Sequence, residues 1–380
     1  MDVLLDQTSP FTIPFPSTKP SIVSSELENV VERLQNAKSP LLFLGKGVHL
    51  SKAYDQVQWL AETWRIPVAT TSGGKGSFST THPLSLKAFG LGGNEAAARY
   101  LIEGVDELIV MGSTLSYMSL AGFTRDMYPA HVFDIDATFV NKSLLLPTLL
   151  VLGDAKHNLD RLQQMMGSSI LATPKRKLIS VRDNEIGSAS KHKDFLSAKR
   201  AIKVIRDILP FDTVFFGDDG SHTFYAIEHL ELPQPGTFFL DDVFGAKGHA
   251  IGYAIGAKLG DPEKSIVCLT GDGCCYMHGT EIATAVDEKL PLLFIVFNNK
   301  QLDMGDKGMK QWFGTSIGAT YSVGLDVCTF ARSLGATAYY CDDDISFRSA
   351  LKASILQKDG PTVIEVMVDP NEIPPTLNRV

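Results

Sequence analysis

The sequence predicts an α/β protein made of two doubly wound domains with mainly parallel sheets, and three observations carry that prediction. Short apolar runs end repeatedly in Gly or Asp, helical periods separate them, and a polar, basic stretch divides the series in two. Residues 1–22, with Pro10, Pro14, Pro16 and Pro20 among Ser and Thr, read as an N-terminal strap or linker. The first series fills residues 23–171, a Rossmann-like domain. Its apolar run at 41–44 leads into Gly45-Lys46-Gly47, and that at 66–71 into Gly73-Gly74-Lys75-Gly76. Runs at 107–111, 131–136 and 149–152 follow, and helical periods cover 26–34 and 53–64. Residues 172–195 (Pro174-Lys175-Arg176-Lys177, then Lys191-His192-Lys193) read as a solvated linker.

The second series fills residues 196–380. It has a strand at 213–217 running into a polar turn at 220–223, a strand at 238–240, and a small-residue helix at 248–259. Buried strands follow at 265–270 and 292–297, with a helix at 279–288 between them, and a last strand at 362–368. In such sheets ligands sit at the carboxyl ends of the strands.

Composition bounds the function. With 44% hydrophobic and 21% charged residues, the 380-residue chain can build two full cores. A net charge of −8 without a dense Lys/Arg run argues against a nucleic-acid partner. No run reaches eighteen apolar residues and Met1–Asp6 is acidic at both ends, so neither a membrane span nor a signal peptide is expected. The five cysteines are odd in number and lack zinc-ligand spacing; with Cys274 and Cys275 adjacent, they point to a reducing compartment, the cytoplasm.

The chemistry concentrates at two strand ends. The run 265–270 breaks at Gly271-Asp272-Gly273, where glycines let the backbone turn and approach a ligand. The next buried strand ends at Asn298-Asn299. In a right-handed βαβ unit these ends are neighbours, so a carboxylate and an amide oxygen converge. Mg²⁺ suits that set: few protein oxygens, with phosphate oxygens and water completing the octahedron. Alone, Gly-Asp-Gly is a turn and Asn-Asn a helix cap; the pair, each closing a buried strand, is far more specific.

The pair resembles the magnesium-diphosphate signature of thiamine-diphosphate (ThDP) enzymes, of the acetolactate synthase and benzoylformate-decarboxylase-like kind. Glu281–Val286 (as Glu-Ile-Ala-Thr-Ala-Val), Leu290-Pro291 and Lys310-Gln311-Trp312 carry the resemblance, as do Gly252–Lys258 (Gly-Tyr-Ala-Ile-Gly-Ala-Lys), His82-Pro83, Asp134-Ile135-Asp136 and Gly153-Asp154-Ala155. It covers the central and diphosphate-binding domains of that family; no pyrimidine-binding domain is matched. The resemblance implies that Asp272 and Asn299 bind Mg²⁺ by side chain and Gln301 by its backbone carbonyl. It implies that Gly271, Gly273 and Cys274 line the diphosphate, with Gly220, Ser221 and His222 contacting the phosphates. Gly245 and Lys247 fall where the family holds the aminopyrimidine ring, and Met304 falls beside the thiazolium and substrate, although a core-packing role for that Met is equally open.

Two departures stand out. Lys247 replaces the large apolar side chain beneath the bent cofactor, so its stem substitutes while the ammonium snorkels away. Asp241 and Asp242 bring negative charge near the pocket. The catalytic set is empty, because the activating glutamate is expected on a pyrimidine-domain partner. The reading is therefore a subunit of an enzyme that decarboxylates a 2-oxo acid and transfers the acyl carbanion equivalent to an acceptor. It acts within a homo- or hetero-oligomer. Plain decarboxylation and a non-catalytic, regulatory ThDP-binding protein are the alternatives. A nucleotide-binding reading also stands, because some relatives hold FAD in the central domain; only Gly45-Lys46-Gly47 supports it here, without a Gly-x-Gly-x-x-Gly run.

Overall fold

A computed structural model describes residues 24–137, 148–166 and 195–376. The predicted strap and nearly all of the predicted linker lie outside these residues. The described part of the chain forms two six-stranded parallel sheets. The first comprises β1 (Leu41–Leu44), β2 (Val68–Thr70), β3 (Ser85–Ala88), β4 (Glu107–Met111), β5 (His131–Asp136) and β6 (Thr148–Leu152). Their order is β3-β2-β1-β4-β5-β6, every pairing parallel. The second comprises β7 (Val214–Gly217), β8 (Phe238–Leu240), β9 (Ile266–Gly271), β10 (Leu293–Asn298), β11 (Thr337–Cys341) and β12 (Thr362–Met367), ordered β11-β12-β10-β9-β7-β8. The first sheet starts at its middle with β1, and the second starts one strand from its edge with β7; both then build to either side. The order therefore reverses between β1 and β4 in one sheet and between β7 and β9 in the other.

Burial on both faces explains the unbroken apolar runs. β1, β4, β9, β10 and β12 are buried at every position, as strands with helices on both sides must be. One face of the second sheet packs Phe215, Phe238 and Ile295 against Ile202, Ile205 and Phe347; the other packs Phe294, Val296 and Cys268 against Ile251, Ala254 and Ala331. Two strands went unread in the sequence. β3 pairs with β2 through a register irregularity and alternates buried with half-buried residues, and β11 is an edge strand with Tyr340 exposed. Neither shows the continuous apolar run of a central strand.

The two halves meet through a specific seam. Lys75 Nζ donates to Leu230 O at 2.8 Å, Gly236 N to Gly76 O at 2.7 Å, and Thr80 exchanges bonds with the Leu232 backbone. Lys75 is buried, and burial lowers its pKa to about 7.

Candidate functional site

The site lies at the reversal point of the second sheet, where β7 and β9 diverge. β7 ends in Asp218-Asp219-Gly220, and the helix Ser221–His229 begins at once. The predicted polar turn is thus the first turn of a helix, whose free amides and dipole favour an anion. β9 also passes directly into a helix, Asp272–His278, so Asp272 is its first residue. The helix expected over 279–288 is a 3-10 turn at Gly279–Glu281 followed by the helix Ile282–Asp287, and the helix Asp272–His278 before it was not expected. The small-residue helix runs over His249–Gly260, one residue on from the expectation.

Asp272 is almost fully buried. Its carboxylate accepts from Gly273 N at 2.9 Å and from Gln301 N at 3.2 Å, and no cationic side chain meets it among the described residues. Burial pushes its pKa up to about 7; the surrounding amides only partly oppose this, and the charge of Asp303 adds to it. A carboxylate so placed gains from any positive charge brought beside it. The two asparagines divide the work. Asn298 turns inward, its amide donating to Leu325 O (3.1 Å) and Glu365 Oε1 (2.7 Å) while its oxygen accepts from Lys300 N (3.0 Å). Asn299 faces the cleft.

The cleft is lined by Gly220, Ser221, His222, Lys247, Gly271, Asp272, Gly273, Cys274, Asn299, Gln301 and Met304, so eleven of the twelve residues predicted for the site come together. Gly245 does not line it; it sits behind, where a Cβ would lie 3.5 Å from Asp219 Oδ1. The glycines are where the backbone has no room to spare: a Cβ on Gly271 would come within 3.0 Å of His222 Nδ1 and one on Gly273 within 2.7 Å of Leu302 Cδ2. His222 is held neutral. Burial lowers its pKa to about 3, Lys247 and His249 add to this, and its ring stacks on Phe297. Its Nε2 lacks a partner among the described residues. A neutral imidazole with a free ring nitrogen can meet one phosphate oxygen. Met304 lines the cleft and also packs against the core, as its core-packing reading expected.

Three residues that matter here were not singled out in the sequence as ligands. Asp218, buried, accepts from Gly248 N (2.7 Å), Asp219 N (2.9 Å) and Thr270 Oγ1 (2.7 Å), locking the three segments around the cleft together. Asp219 holds Lys247 Nζ at 2.8 Å, which corrects the expectation that this ammonium snorkels to solvent: a carboxylate within reach keeps it at the cleft wall. Asp303 accepts from Ser221 Oγ, from Gln301 Nε2 at 2.7 Å and from Lys307 Nζ at 2.5 Å. The readable signal was the Asp218-Asp219 pair closing a buried parallel strand. Asp241 and Asp242, expected near this pocket, face the first sheet's loops instead: Asp241 pairs with Lys46 at 3.5 Å and Asp242 rests on Gly73.

The donor set fits a metal–diphosphate group: a lone buried carboxylate, an amide side chain and a carbonyl beside a helix N-terminus with a neutral histidine. The cleft itself is small, about 160 Å³, below the roughly 300 Å³ at which ligand pockets begin. Exposed apolar side chains stand on the segments that follow the two strand ends: Tyr276 and Met277 on the helix Asp272–His278, Trp312 and Phe313 at the end of the helix Asp303–Phe313, and Val323 beyond it.

Comparison with known proteins agrees. The "Thiamine pyrophosphate enzyme, central domain" family matches residues 27–162, and "Thiamine pyrophosphate enzyme, C-terminal TPP binding domain" matches residues 218–366. The acetolactate synthase isozyme 2 large subunit of Escherichia coli is 26% identical over 353 residues, 91% of this chain and 62% of its own length. The acetolactate synthase large subunit of Corynebacterium glutamicum is 27% identical over 390 residues, 96% of this chain and 60% of its own. The chain thus spans about three fifths of the length of these curated relatives. The solved thiamine diphosphate-dependent 4-hydroxybenzoylformate decarboxylase of Rhodococcus jostii superposes with a TM-score of 0.78 at 21% identity, over 94% of this chain and 66% of that one. This is a likeness of fold.

Proposed function

The chain belongs to the thiamine pyrophosphate enzymes, and on that premise we propose that it is the cofactor-anchoring component of a ThDP/Mg²⁺-dependent lyase or transferase. That enzyme decarboxylates a 2-oxo acid and passes the acyl unit to an acceptor. The single observation that carries the proposal is Asp272: a buried carboxylate between two glycines, on the same cleft as Asn299, with no cationic side chain paired to it among the described residues. Asp272, Asn299 and the Gln301 carbonyl hold Mg²⁺ in this reading, and the amides of the helix Ser221–His229 with the neutral His222 hold the phosphates. ThDP, when bound, supplies the stabilisation of the acyl carbanion. Lys247, clamped by Asp219, and Met304 line the cleft and would contribute a stem and a thioether to the wall of the cofactor site.

The proton-shuttling glutamate and the cover over the cleft come, in this proposal, from a pyrimidine-binding domain on another subunit. The small cleft and the exposed apolar side chains on the helices that follow β9 and β10 support that assignment, since patches of this kind mark interaction surfaces. The decisive experiment is calorimetry with ThDP and Mg²⁺ on the parent and on Asp272→Ala. Loss of a metal carboxylate should weaken binding by at least about tenfold. Equal affinity in the two would falsify the assignment.

A further inference from the structure

The reversal point of the first sheet is where a doubly wound fold takes a dinucleotide, and the family resemblance left FAD open there. The residues present do not fit one. Gly45 N donates to Met111 O and Gly47 N to Gly112 O, both at 2.8 Å, so the amides that would cradle a pyrophosphate are spent within the chain. A Cβ on Gly45 would lie 2.4 Å from Gly112 O, one on Gly47 2.5 Å from Gly112 Cα, and one on Gly74 2.1 Å from Leu44 O. Backbone lies directly on backbone, leaving no layer for a ligand. The helix that follows, Gly47–Ser51, has only five residues and offers little dipole.

What reaches the crevice is a turn from the other half of the chain. Asp241 Oδ1 accepts from Val243 N at 3.1 Å and lies 3.5 Å from Lys46 Nζ. Asp242 Oδ2 lies 2.2 Å from where a Gly73 Cβ would stand. Two carboxylates thus occupy the ground that an anionic ligand needs, and the cation there, Lys46, already serves one of them. The same loop continues to Lys247, whose ammonium is held by Asp219 at the cofactor cleft.

We propose that the crevice at Gly45-Lys46-Gly47 is the seat of the Asp241-Asp242 turn and takes no dinucleotide, Lys46 and Asp241 acting as positioning residues for the loop that carries Lys247. The effect on cofactor binding rests on the ThDP reading; the seating itself does not. A half-exposed pair at 3.5 Å is weak by itself, so charge reversal, which brings three acids together, is the informative change. Two measurements on the full chain test the proposal. Titration with FAD and with ADP should give no binding heat, and saturable binding of either at one site overturns it. In Lys46→Glu, amide hydrogen exchange over residues 241–248 should speed several-fold, with Lys46→Gln giving a smaller change in the same direction. The swapped pair Lys46→Glu/Asp241→Lys should restore the parent rate, and ThDP affinity should fall and recover in step. Unaltered exchange in Lys46→Glu, or no recovery in the swap, overturns the seating. Exchange that responds as expected in a chain that binds no ThDP would sink the proposed function and leave the seating standing.

Discussion

At the residue scale, burial governs the chemistry. Asp272 keeps its proton up to about pH 7 in the cofactor-free chain, whereas the unfolded chain releases it near its ordinary value of 3.8. The folded state therefore binds the extra proton between those values, and stability falls as pH rises from about 4 to 7 and stays reduced above. Asp272→Asn, without cofactor, should melt several degrees above the parent at pH 8, with the difference closing toward pH 4 in thermal scans. Mg²⁺ must displace the same proton, so ThDP·Mg²⁺ affinity should rise by up to about tenfold per unit as pH climbs toward 7 and then level off. Calorimetry across that range checks both slope and plateau. The cysteines follow the same rule in the same direction. All five are buried, and burial pushes the thiols of Cys274, Cys328 and Cys341 up to about 12. A thiol reagent at pH 8 should label none of them until denaturant opens the fold.

At the element scale, loop residues tie the two halves together. Lys75 follows β2, yet its ammonium ends on the carbonyl of Leu230, the residue that terminates the helix Ser221–His229. Burial lowers its pKa to about 7, with Lys87 contributing, against an ordinary 10.5. Between those values the unfolded chain binds more protons than the folded one, so Lys75 makes stability rise with pH from about 7 to 10.5. In Lys75→Met that slope should flatten in urea melts. A slope unchanged from the parent would mean that the ammonium is not buried in solution.

For the whole molecule, the exposed apolar side chains are the surface on which the proposed partner would dock. Val243 and Phe244 are 81% and 84% exposed, with Trp312 and Phe313 also bare. The chain alone should show little or no 2-oxo acid turnover with ThDP and Mg²⁺, and robust turnover would remove the need for a pyrimidine-domain partner. Adding that partner should raise ThDP affinity, and ThDP should raise partner affinity by the same factor, because linkage is reciprocal. Phe244→Asp should weaken the complex by at least about tenfold while leaving the melting temperature of the chain alone nearly unchanged, since an exposed apolar side chain contributes to the interface and little to the core.

The sequence by itself determined the two-sheet class and the anchor of the site. Central parallel strands are buried on both faces and so appear as uninterrupted apolar runs, and a ligand-holding strand end announces itself by glycines around one acid. β3 and β11 were not legible, because each alternates buried with half-buried or exposed residues and lacks the apolar run that β6 and β8, also edge strands, still carry. Nor were the roles of Asp218, Asp219 and Asp303, whose partners lie up to 82 residues away and meet only when the helices have packed. The division of labour between Asn298 and Asn299 needed β12 in place, since Glu365 is what turns the first inward. Only the tertiary structure decided which way a charged side chain faces. Lys247 turned to Asp219, and Asp241 and Asp242 turned to the other sheet. The chain's alternation fixes which face is apolar, but a buried charge goes wherever packing supplies its partner.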